Sequence, residues 1–60
     1  MIPQDPVMLL SYINMKLRDE YDSLESLAEG LDLSKGDLQD IVSKLESIGY
    51  IYDKVKNKFS

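Results

Sequence analysis

The sequence contains neither cysteine nor histidine. The first absence removes disulfides and thiolate metal ligands, and the second removes the commonest general base and imidazole ligand. Glycine is scarce too: Gly30, Gly36 and Gly49 stand alone, so no glycine-rich phosphate cradle can form. Serines without histidine have no ready activator, and no apolar pocket is evident that would drive the pKa values of paired carboxylates apart. A non-catalytic protein with no cofactor and no bound metal is expected. The longest apolar run is "VMLL", far below the ~20 residues of a membrane span. No basic-then-apolar leader opens the chain, so a soluble, cytoplasmic protein without membrane contact is expected.

What is present points to one small domain over residues 1–60. A chain of this size buries only about 60% of its unfolded surface, so tight packing or self-association must supplement the core. Eleven Asp and Glu against seven Lys and Arg give a net charge of −4. That balance favours solubility and opposes binding to polyanions.

Local signals divide the chain into three helices and a hairpin. Asp5 can cap the first free amides of a helix, and Pro6 suits its first position because its missing N–H would have had no partner there. Nothing breaks that helix over 6–21. At 100° per residue, Leu9, Leu10, Ile13, Leu17 and Tyr21 form a core face, while Val7, Ser11, Asn14 and Arg18 form a mostly polar arc. Met8, Tyr12 and Met15 share a third arc that is too apolar for a solvated surface. Ser23 starts a second helix over 24–31, and Ser34, with Asp37 three residues on, starts a third over 35–48. Leu38, Ile41, Val42, Leu45 and Ile48 make its apolar seam, and Gly49 stops it. Residues 50–60 read as a hairpin turning near 54–57, with Asn57 able to take a positive φ.

Within "LAEGLDLSKGDLQDIV", small Ala28, the bend residue Asp32, apolar Leu33 and the cap Ser34 fall at the offsets of a helix-turn-helix. With the first helix and the hairpin, the expected fold is mainly α: a three-helix, winged-helix-like domain with a short C-terminal β-hairpin. "DPVMLLS", "LRD" and the ending "GY-x-YD-x-x-x-N-x-F" resemble a family of small uncharacterised bacterial proteins of about this length, a domain of unknown function, along nearly the whole chain. The resemblance implies a stand-alone cytoplasmic bacterial protein and brings no catalytic or binding residue with it.

Two kinds of partner compete. A protein, either a second copy or another chain, would meet Met8, Tyr12 and Met15, because thioethers and tyrosine make adaptable contacts. The competing reading of that stripe is ordinary core, covered by the hairpin. Duplex DNA, for a winged helix-turn-helix regulator, would meet Lys35, Gln39 and Ser43 on the third helix and Lys54, Lys56 and Lys58 on the hairpin. Charge opposes DNA: Asp22, Glu25, Glu29, Asp32, Asp37, Asp40 and Glu46 face Lys35 and Lys44, a net −5 over residues 22–49. Protein contact is therefore placed first. Tyr50 and Tyr52 are expected to pack against a helix rather than to stack bases. Ser11, Asn14 and Arg18 are expected to be solvated, with Arg18 pairing with Asp22. Asp19, Glu20 and Asp22 lack the spacing of a calcium loop.

Overall fold

The computed structural model describes residues 2–60. Asp5 has an extended backbone, and its Oδ1 accepts from the Val7 and Met8 amides at 2.9 and 3.2 Å. This cap, with Pro6 behind it, starts α1 (Pro6–Asp19). The helix stops two residues earlier than the sequence suggests, because the amides of Glu20 and Tyr21 both fall on the Lys16 carbonyl, at 2.8 and 3.0 Å.

Ser23 caps α2 (Leu24–Gly30) by accepting from the Ser26 amide at 3.1 Å. The bend that follows turns on Asp32, whose φ of 57° is left-handed. An Asp tolerates that region better than most residues. The Leu33 amide then donates back to Ala28 O at 2.8 Å. Ser34 and Asp37 form a reciprocal capping box that opens α3 (Lys35–Ser47). Gly49, at φ 88°, closes it: its amide reaches Glu46 O, and the Tyr50 amide reaches Leu45 O. Glycine adopts that conformation without Cβ strain, and the two bonds satisfy carbonyls at the helix end.

Strands β1 (Tyr52–Asp53) and β2 (Lys58–Phe59) pair antiparallel, Tyr52 opposite Phe59 and Asp53 opposite Lys58. Asp53 Oδ1 organises the turn between them by accepting from the Val55 and Lys56 amides, and Asn57 completes it at φ 55°. The expected three helices and short hairpin are thus what the chain adopts.

Leu9, Ile13, Leu17, Leu27, Ile41, Leu45 and Phe59 form the core. All three helices and the hairpin contribute, and Phe59 is only 2% exposed although it is the penultimate residue. Emptying such an aromatic site costs about 3–5 kcal/mol, comparable with the roughly 3–9 kcal/mol that holds a chain of this length folded. Ile48 leaves the expected seam: α3 has ended by then, and the side chain is 36% exposed.

Two asparagines fasten the hairpin to α1. Ile51 and Ser60 exchange both backbone bonds, which makes Tyr52 and Phe59 the pair whose own N–H and C=O point outward. On the β2 edge Asn14 takes both groups: its Nδ2 donates to Phe59 O at 3.0 Å, and its Oδ1 accepts from the Phe59 amide at 2.8 Å. Asn57 Nδ2 donates to Leu17 O and Tyr21 O, and its Oδ1 accepts from the Tyr52 hydroxyl at 2.7 Å. Carbonyls at the end of α1 are therefore satisfied from the far end of the chain. No helix among the described residues is long and apolar enough to cross a membrane.

Candidate interaction surfaces

The outward side of α1 is the first surface. The α-helical repeat puts Val7, Met8, Ser11 and Met15 on one side, away from the Leu9–Ile13–Leu17 row. Val7 is 64% exposed, Met8 62% and Met15 40%. Tyr12, expected to share this stripe, is half-buried and packs against the core. Lys16 Nζ lies 5.6 Å from the centre of its ring and bonds Glu20 at 2.6 Å. The Glu20 hydrogen bond holds the Lys16 ammonium above its ordinary pKa. The hairpin does not cover the methionines. It docks on the neighbouring flank, where Asn14 and Leu17 receive it.

Asn14 is therefore a fastening residue rather than the solvated one expected. Arg18 also departs from expectation. It bonds Asp19 through Nε and Nη2, at 2.8 and 3.0 Å, while Asp22 accepts from Ser26. The Arg18 hydrogen bond holds the Asp19 carboxyl below its usual range. Steric reach explains the choice, since Asp22 lies beyond the end of α1 and is occupied at the start of α2.

The second surface is α3 and the hairpin tip. Lys35, Gln39 and Ser43 are all exposed, as are Lys54, Lys56 and Lys58. Asp37, Asp40 and Glu46 are exposed on the same helix, so it carries no concentrated positive face. Tyr50 and Tyr52 differ in burial. Tyr52 packs on Phe59 with ring centres 5.5 Å apart, whereas Tyr50 is 38% exposed. Burial raises the Tyr52 pKa, partly offset by the Leu24 amide, and the nearby carboxylates raise it further.

Between α1 and the hairpin lies a groove that sequence reasoning missed. Leu10, Met15 and Leu17 supply apolar lining, and Arg18, Lys56 and Lys58 supply cations. Arg18 is 38 positions or more from Lys56 and Lys58 in the chain, and only the docking of the hairpin gathers them. A smaller cleft of about 190 Å³ lies between the N-terminal segment and α3, where Lys44 Nζ donates to Gln4 at 2.8 Å.

Neither a curated protein nor a solved structure matches the chain. The model of a domain of unknown function, DUF4250, matches residues 3–59, and the chain belongs to that family.

Proposed function

We propose that this is a non-catalytic binding protein that meets another protein through the outward side of α1. One observation carries the reading: Val7, Met8 and Met15 remain open while the hairpin occupies a different flank. Methionine's unbranched thioether adapts to varied partners, and an apolar cluster of this kind on a small chain favours association. A second copy about a two-fold axis is the simplest occupant. It would set the patch against itself, and association would add the stability that a small core lacks.

A DNA-binding winged helix-turn-helix regulator is the second reading, favoured by the exposure of Lys35, Gln39 and Ser43 on α3. Phosphate neutralisation supplies most non-specific affinity, and the carboxylates around these residues work against it. Protein contact therefore ranks ahead.

Sedimentation velocity at physiological salt, with and without duplex DNA, tests both readings. The expected result is a concentration-dependent dimer indifferent to DNA. Met8→Lys combined with Met15→Lys should convert it to a monomer with unchanged helicity. A wild-type chain that is monomeric at about millimolar concentration removes the dimer and leaves only a different protein on that face. Duplex binding that weakens steeply with salt and disappears with Lys35→Glu or Lys54→Glu would reverse the ranking.

A further inference from the structure

The groove between α1 and the hairpin is open and measures about 660 Å³. The chain carries a net charge of −4, yet no Asp or Glu lines this groove. Three cations do, and two of them are unpaired. The described ion pairs are Lys16 with Glu20 and Arg18 with Asp19, so Lys56 and Lys58 have none among the described residues. Asp53 stands opposite Lys58 in the ladder, but its Oδ1 accepts from the Val55 and Lys56 amides instead. The turn geometry thus ties down the carboxylate nearest in the ladder. Beside the cations, Leu10 and Met15 add apolar side chains to the lining, on either side of Ser11, Asn14 and Arg18.

We propose that this groove docks an acidic, amphipathic segment of another protein. Carboxylates of the segment meet Arg18, Lys56 and Lys58, while apolar side chains contact Leu10 or Met15. The combination decides the class of partner. Nucleic acid is disfavoured because no aromatic side chain lines the groove for base stacking, and three cations are few for a phosphate track. A second copy is disfavoured as well. A two-fold axis through the groove would oppose cation to cation, and a head-to-tail contact gives a defined assembly only where its rotation closes a ring. This site goes beyond the α1-face contact and shares Ser11 and Met15 with it.

The test is a titration of the full-length, isotope-labelled protein, followed by amide chemical shifts. The probe is a synthetic peptide of about three helical turns, with Leu at helical spacing and Glu elsewhere; a twin carries Gln for every Glu. Binding is expected to shift amides of residues 10–18 and 55–59, to weaken with added salt, and to be at least about tenfold tighter than for the twin. K56E combined with K58E should lower affinity by about tenfold or more. Both side chains are exposed, so the fold should persist. R18Q, on the opposite wall, should weaken binding in the same direction and keeps the test valid if the double variant unfolds. M8K should leave peptide binding unchanged even where it abolishes dimerisation, so the two readings fail separately. No shifts up to about millimolar peptide, equal affinity for the twin, indifference to both charge variants, or stronger shifts of the groove amides by duplex DNA would each overturn the proposal.

Discussion

Asn57 shows how much a single side chain contributes here. It takes the left-handed conformation that ends the hairpin turn, donates to Leu17 O and Tyr21 O, and accepts from Tyr52. Asn57→Ala should cost about 1–3 kcal/mol, because partly buried groups lose partners and alanine lacks the polar side chain by which asparagine tolerates positive φ. In a chain of this size each kcal/mol moves Tm by about 4–8 °C. Asn57→Gly separates the two roles. Melting followed by circular dichroism should place it below wild type, and a glycine variant as stable as wild type would reduce the residue to its backbone angle. Gly30 makes a second case. An exposed helical Gly→Ala change normally gains about 1 kcal/mol. Here a Cβ would overlap the Tyr21 ring, so Gly30→Ala should lose stability, by about 1–3 kcal/mol. Pairing it with Tyr21→Leu should recover most of that loss; a gain from Gly30→Ala alone would show that the ring moves aside freely.

At the level of elements, legibility followed distance along the chain. Asp5, Ser23 and Ser34 each cap amides within three residues, and Asp32, Gly49 and Asn57 each set their own φ, so the sequence announces them. Helix ends were off by one or two residues, because the last turn depends on which carbonyl each amide reaches. The hairpin's docking flank was illegible. Asn14 meets Phe59 across 45 positions, and an asparagine on a polar arc looks the same whether it is solvated or fastened. The basic groove was hidden for the same reason, since it exists only after that docking. The hairpin also carries a pH response. Burial holds the Tyr52 pKa above its ordinary value near ~10, so the hydroxyl is neutral in both states below that pH and its contribution is intact. As pH rises past ~10 the unfolded chain ionises first, and the contribution fades through the folded pKa. Ionisation also removes the proton donated to Asn57. Denaturation curves should show stability falling above pH ~10 in wild type and falling less in Tyr52→Phe. Equal falls in the two proteins would assign the loss to other groups.

For the whole molecule, charge is distributed unevenly. Both described ion pairs lie in α1 and the residue that follows it, Glu20, whereas residues 22–49 carry a net −5 with no ion pair of their own among the described residues. Exposed pairs of the α1 kind contribute little, because solvent screens them. Repulsion spread over α2 and α3 is therefore expected to outweigh them. Raising salt from about 0.01 M to about 1 M shortens the screening length from ~30 Å to ~3 Å and should raise the urea midpoint. A midpoint that falls instead would mean that the α1 pairs dominate.

The Asn14 amide has a further consequence. By occupying the outward N–H and C=O of Phe59, it stands where an additional strand would otherwise pair, so one border of the two-stranded ribbon is closed to strangers. Exchanging Asn14 for leucine would uncover a short template for sheet growth. Such a chain should cloud on warming, scattering light before its helices melt, so that clumping rather than unfolding sets its upper working temperature.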